Sequence, residues 1–189
     1  FLQKDGGILK EGSLLEEELN GLWRSIHPFD IDNDGDTDLL IGNWGANSKF
    51  KASVGYPMKM YHQDFDNNGR MESVVAIEKN GIYFQLSGLY ELSSQMNNLK
   101  REFTTYKKFA GKNMTEIFDK KLIENADVFL VHELRSGYLK NENGKFKFVP
   151  FNWRLQVSPI TSFVSYDFDA DNETEVLAAG NYYGVKPFH

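Results

Sequence analysis

The sequence predicts a mainly β fold in which short strands flank a repeated acidic loop, interrupted once by a helical insertion. Three observations predict it. A nine-residue acidic stretch recurs three times at one spacing, short apolar runs flank each copy, and Asn-Gly pairs separate further apolar runs.

The first stretch runs from Asp30 to Asp38 through Asp32, Asp34, Gly35 and Asp36. The second runs from Asp64 to Glu72 through Asp66, Asn68, Gly69 and Arg70. The third runs from Asp167 to Glu175 through Asp169, Asp171, Asn172 and Glu173. Each places oxygen-bearing side chains at positions 1, 3, 5 and 9, with Gly or Asn at position 6. Calcium takes six to eight hard oxygen ligands in a flexible shell, so alternating carboxylates on a tight loop suit it better than magnesium, which demands a small octahedron. Position 6 calls for a left-handed backbone, which Gly adopts freely and Asn tolerates. Position 7 (Asp36, Arg70, Glu173) is expected to contribute its carbonyl, so its side chain can vary even in sign. Up to three calcium ions are therefore expected. They would cancel the formal net charge of −6.

Strands are expected around each loop. Leu39–Ile41 follows the first, ending in Gly42-Asn43-Trp44; Val176–Ala179 follows the third, ending in Gly180-Asn181-Tyr182-Tyr183. Met58–Tyr61 leads into the second loop and Ser73–Ile77 leaves it, while Ile160–Tyr166 leads into the third. Asn80-Gly81 and Asn143-Gly144 each stand between apolar runs, the strongest short-range hairpin signal. Strand flanks and the lack of a Glu at position 12 (Ile41, Val75 and Ala178 stand there) separate these loops from the helix-flanked EF-hand.

One region breaks the β pattern. Leu89, Leu92, Met96, Leu99, Phe103, Tyr106 and Ala110 alternate spacings of three and four, which predicts one apolar helical face stopped at Gly111. Asn113 with Glu116 reads as a capping box opening a second helix through Ile117, Phe118 and Leu122. The helical insertion is placed over residues 85–125 of a single segment spanning 1–189, and its stripe is expected to pack on the sheets.

The three Asp-rich loops, the apolar strand after them, and Gly42-Asn43 and Gly180-Asn181 resemble the VCBS/FG-GAP repeats, the blades of integrin-α-like β-propellers. The stretch Gly45–Ser53 through Pro57 and Tyr61 to Asp66 is similar to large bacterial surface proteins that carry an ASPIC/UnbV domain. The second loop departs from the pattern at Asn68 and Glu72, the third at Asn172. The resemblance implies a partial β-propeller of about three blades with calcium in a loop of each. It implies an exported protein, extracellular, at the cell surface or periplasmic, that serves protein or carbohydrate recognition and adhesion without catalysis. Three loops cannot supply the four to eight blades of a closed ring, so further blades are expected from the parent chain. The start at Phe1, with neither initiator Met nor a basic-then-apolar leader, fits a segment of something longer.

Other classes fare worse. The acidic balance disfavours nucleic acid, whose binding relies on clustered Lys and Arg. No apolar run approaches a membrane span. The chain has no cysteine, hence no disulfide, thiolate site or cysteine nucleophile. The alternative is a catalytic or accessory module of a polysaccharide-processing hydrolase. A glycosidase would need two facing carboxylates outside the loops, and Glu91, Glu102, Asp119, Glu124, Asp127 and Glu133 read as surface groups near the helices. His27, His62, His132 and His189 show no ligand spacing, and nothing in the sequence ties His62 to Asp64 and Ser87, Ser93 or Ser94 as a triad. Trp44, Tyr182 and Tyr183 are better explained by packing between blades than by a recognition surface. Lys107-Lys108 and Lys120-Lys121 read as solvated helix faces.

Overall fold

The computed structural model describes residues 18–181, Leu15, and the backbone of Leu2–Gln3 (β1) and Leu9–Lys10 (β2), which pair antiparallel. Tyr182, Tyr183 and His189 lie outside the described residues. The chain is mainly β, with several antiparallel sheets, none of them closed. It divides into two compact units, Phe1–Ser48 with Glu133–His189, and Lys49–His132.

In the first unit, β3 (Ser25–Phe29) and β4 (Asp38–Gly42) bracket the first acidic loop. After the second unit come β9 (Gly137–Glu142) and β10 (Lys145–Pro150), giving a sheet in the order β10-β9-β4-β3. The expected hairpin at Asn143-Gly144 joins β9 to β10, both turn residues taking positive φ. A two-stranded sheet, β11 (Ser162–Tyr166) with β12 (Glu175–Ala179), brackets the third loop. Leu40, Ile160 and Phe163 are the buried centre of this unit, flanked by Phe29, Ile31, Tyr138, Phe151, Val176 and Ala178.

In the second unit, β5 (Met58–Gln63) and β6 (Glu72–Lys79) bracket the second loop. The Asn80-Gly81 turn leads into β7 (Ile82–Gln85), and β8 (Asp127–Val131) pairs with β5, so the order is β7-β6-β5-β8. Tyr61 and Val74 are register partners and, with Ala76, face the helical segment. Leu92, Met96, Leu99, Phe103, Phe109, Met114, Ile117 and Phe118 complete that core, so the insertion packs on the sheet as its stripe requires.

The helices are shorter than the stripe suggests. The first predicted helix is three: α1 (Leu89–Gln95), α2 (Asn98–Glu102) and α3 (Tyr106–Phe109). Met96 leaves α1 in an extended conformation, and Thr105 is extended before α3. Asn and β-branched Thr favour such breaks by competing for backbone groups and losing χ1 freedom in a helix. The break rotates the last turn, so Phe109 enters the core at 3% exposure while Tyr106 turns outward at 68%. Gly111 follows α3 at φ +78°, as its stop signal predicts.

The Asn113 capping box forms as expected. Asn113 Oδ1 accepts from the Thr115 and Glu116 N–H groups at 3.0 and 3.1 Å, and Glu116 Oε2 accepts from the Asn113 N–H at 2.9 Å. The helix it opens, α4 (Met114–Ile117), ends at Phe118, and α5 (Lys120–Glu124) starts anew. The reason is Asp119, whose carboxylate caps the Lys121 N–H at 2.8 Å. No helix among the described residues is long and apolar enough to cross a membrane.

Candidate metal centres

Each loop is a connection between two antiparallel strands, and all three close in the same register. The residue before position 1 pairs with position 9: Phe29 with Asp38, Gln63 with Glu72, Tyr166 with Glu175. Side chains of position 1 then face back across the turn toward the amides of positions 5 and 6.

One hydrogen-bond scheme follows in all three. Asp30 accepts from the Asp34 and Gly35 N–H groups at 3.2 and 3.0 Å. Asp64 accepts from Asn68 and Gly69 at 3.0 and 2.8 Å. Asp167 accepts from Asp171 and Asn172 at 3.2 and 3.0 Å. Position 5 accepts from the N–H of position 7: Asp34 from Asp36, Asn68 from Arg70, Asp171 from Glu173, at 2.8 to 3.0 Å. Position 9 accepts from the N–H of position 2: Asp38 from Ile31 at 3.0 Å, Glu72 from Phe65 at 2.9 Å, Glu175 from Phe168 at 2.8 Å.

Position 6 is left-handed as predicted, at φ +93° for Gly35, +83° for Gly69 and +72° for Asn172. Position 4 is left-handed too: Asn33, Asn67 and Ala170 have φ of 57°, 56° and 64°. The sequence carried a signal for this in the two Asn residues, since Asn tolerates that region, but Ala170 gives none. Position 2 was also missed. Ile31 joins the first core, and Phe65 is buried with its ring 4.5 Å from that of Phe118, so each pins its loop to a core. Phe168 is exposed and packs edge-on against Tyr166.

The carboxylates converge. Ligand oxygens of Asp30, Asp32 and Asp38 lie within 4.8 Å of one another. So do those of Asp64, Asp66 and Glu72, and those of Asp167, Asp169, Asp171 and Glu175. These acidic groups can hold a metal ion. Asp34 stands outside the first cluster, and its exposed carboxylate serves the Asp36 N–H instead. Arg70 and Glu173 have exposed side chains, in keeping with a position whose side chain is free to vary.

Two observations test the fit of a cation. Asp36 Oδ1 and Asp66 Oδ1 are buried without a hydrogen-bond partner among the described residues. Such orphaned acceptors are uncommon and call for an explanation such as an ion. Charge supplies the second. Withdrawal from water pushes the Asp36 carboxyl up, helped by the neighbouring Asp34, Asp38, Asp32 and Asp30. Burial likewise raises Glu72, and Asp66 and Asp64 add to it against the Phe65 N–H. Both groups are where a cation would relieve the strain. Asp32 differs: the Lys140 ammonium, 2.8 Å from its Oδ2, holds it below the usual carboxylate range.

The other singled-out groups have local roles. Glu91 Oε2 caps the Gly88 N–H, Asp119 caps α5, and Glu124 pairs with Lys120 at 3.4 Å. Glu133 takes Arg135 at 2.6 Å. Glu102 and Asp127 are exposed. An open groove of about 620 Å³ is lined by Arg135, Phe151, Trp153 and Val157 among others, and by none of these carboxylates. His27 Nε2 lies 3.0 Å from Ser165 Oγ, and His62 Nδ1 3.1 Å from Ser73 Oγ, a serine other than those noted beside it in the sequence. Trp44 is half-buried with the Arg24 guanidinium 4.7 Å above its ring. The lysine pairs of α3 and α5 are exposed.

The Gly-Asn pair after the first loop proves to be a packing device. Asn43 is fully buried, its Oδ1 accepting from the Leu22 N–H at 3.0 Å and its Nδ2 donating to the Glu133 carbonyl at 3.0 Å. A Cβ on Gly42 would strike the Ile160 carbonyl oxygen, and one on Gly180 the Pro159 carbonyl oxygen. No protein-family model, curated protein or solved structure matches this chain.

Proposed function

We propose that the chain is a calcium-binding segment of an FG-GAP/VCBS-type β-propeller, a non-enzymatic module of an exported protein that supports recognition or adhesion of a protein or carbohydrate ligand. One observation carries the reading: three separate loops share one register, one hydrogen-bond scheme and one convergence of carboxylates. Asp30, Asp32 and Asp38, then Asp64, Asp66 and Glu72, then Asp167, Asp169, Asp171 and Glu175 would hold the ions. Asn68 and the carbonyls of Asp36, Arg70 and Glu173 would add neutral oxygens. Hard oxygen donors without nitrogen or sulfur favour calcium.

The ion's role is structural. Bound to the native loop alone, it ties two strands together and offsets the repulsion of the carboxylates that meet there. A native-state ligand stabilises by about 2.7 kcal/mol at a hundred times its dissociation constant. Blades beyond those described are supported by the third unit of the repeat. Among the described residues the first two loops sit in four-stranded sheets and the third in a two-stranded one, which packs Phe163, Val176 and Ala178 on the first unit's core but has no further strand at its edges. Its partners Val164 and Leu177 are 51% and 58% exposed.

The test is calorimetric. Chelator-treated protein titrated with calcium should release or absorb heat and melt at a higher temperature, with magnesium far less effective. Absence of both heat and a rise in melting temperature would overturn the reading.

A further inference from the structure

The three loops differ in one respect that bears on how they fill. Only the first, among the described residues, has a side-chain cation on a ligand carboxylate: Lys140 Nζ stands 2.8 Å from Asp32 Oδ2. At the equivalent position of the second loop, Asp66 has an oxygen that is buried and unpartnered. Lys140 is not a stray surface group. It sits on β9 between Leu139, which pairs with Leu39 of β4, and Asn141, whose N–H donates to Asp38 Oδ1 at 2.7 Å. Consecutive residues of one strand thus hold positions 3 and 9 of the loop. Both members of the pair are about one-third exposed, so solvent screens it only in part.

We propose that Lys140 is a tethered counter-ion of the first loop, holding Asp32 while no divalent ion is bound and weakening the affinity of that loop for calcium. The inference rests on the calcium reading above. A divalent ion entering among Asp30, Asp32 and Asp38 must displace the ammonium from Asp32 or share the carboxylate with it. A +2 and a +1 charge held about 5 Å apart repel enough, even in water, to weaken binding about tenfold. The same lysine neutralises part of the loop's charge without metal, so the first loop keeps its shape on less calcium than its five aspartates suggest.

The position-6 glycines make the proposal testable site by site, because Gly35 reports on the first loop and Gly69 on the second. Calcium chloride is titrated at fixed pH and salt into the chelator-treated chain, and the two glycine amide signals are followed by NMR. Replacing Lys140→Met should lower the calcium midpoint of Gly35 about tenfold and leave that of Gly69 in place, whereas Lys140→Arg should stay near the native value. Lys140→Gln serves should the Met variant not fold. Without calcium, the neutral variants should melt below the native chain. A Gly35 midpoint unmoved by either neutral substitution while Gly69 still titrates would overturn the counter-ion role and leave the calcium reading standing. If neither glycine responds to calcium in any variant, the calcium reading fails and the proposal falls with it.

Discussion

Asp38 receives the Asn141 N–H at 2.7 Å, joining the end of the first acidic loop to a strand on the far side of the helical insertion in sequence. Its other oxygen receives the Ile31 N–H at 3.0 Å, and the side chain is buried. An aspartate read from spacing as a ligand is therefore also a framework residue. Asp38→Ala would leave two part-buried amides without partners, at about 1–2 kcal/mol each, toward the lower end of the cost of an unsatisfied group. Denaturant titration in chelator should show a loss of about 3 kcal/mol for it. Asp34→Asn keeps an acceptor for the Asp36 N–H on an exposed side chain, and should stay within about 0.5 kcal/mol of the native chain.

On the calcium reading proposed above, Glu72 should give a pH dependence whose sign reverses when the ion is added. Burial raises its carboxyl above the ordinary value, so the folded state holds the proton more tightly than the unfolded one. Stability from this group is present below the unfolded value and is lost as pH rises through the folded one. In chelator, Glu72→Gln should remove that loss while its carbonyl still accepts from Phe65. Above the titration the variant should melt higher than the native chain. Saturating calcium should invert the order, because the native carboxylate then carries the ion. Melting curves across pH 4 to 8, with and without calcium, check both signs.

Gly42 and Gly180 should be intolerant of a methyl group. A Cβ on Gly180 would collide with the Pro159 carbonyl, and one on Gly42 with the Ile160 carbonyl as well as the Ser25 hydroxyl, and the backbone groups cannot swing aside. Gly42→Ala or Gly180→Ala is expected to destabilise by about 3 kcal/mol or more, at the upper end of overpacking effects. Gly35→Ala meets open space but keeps φ at +93°, and should cost about 1–2 kcal/mol from left-handed strain alone. Chemical denaturation of the three variants ranks them.

The helical segment offers a control on packing. Phe109→Ala removes a buried ring that packs edge-on against Phe103 at 5.4 Å, and should lose about 3–5 kcal/mol. Tyr106→Ala, three positions earlier on an exposed side chain, should change stability by less than about 1 kcal/mol. Equal losses would mean that the ring pointing inward has been misassigned.

Periodicity placed Tyr106 on the apolar face and gave no role to Phe109, whereas Tyr106 points outward and Phe109 is buried. Tyr106 fits the three-four spacing from Leu89 to Phe103, but spacing assumes an unbroken helix, and Thr104-Thr105 break it. Short-range chemistry was more legible. The Asn113 cap, the Asn80-Gly81 and Asn143-Gly144 turns and the left-handed position 6 depend on a few adjacent residues, and each formed as read. Contacts across long separations were not legible. Nothing near Asp32 in the chain announces Lys140, and nothing near Gly42 announces Ile160. Asp34 was misjudged at short range: its carboxylate turns to the Asp36 N–H of its own loop instead of joining Asp30, Asp32 and Asp38.

The shared pairing of the residue before each loop with its ninth position fixes how many residues the connection can contain. Adding or removing one would shift the departing strand by a single step and exchange its inward and outward faces. Leu40 would then trade places with Leu39, and the first core would lose its centre. A one-residue insertion or deletion in these turns therefore disrupts far more than a change of side chain at position 7, where this chain itself carries Asp36, Arg70 and Glu173.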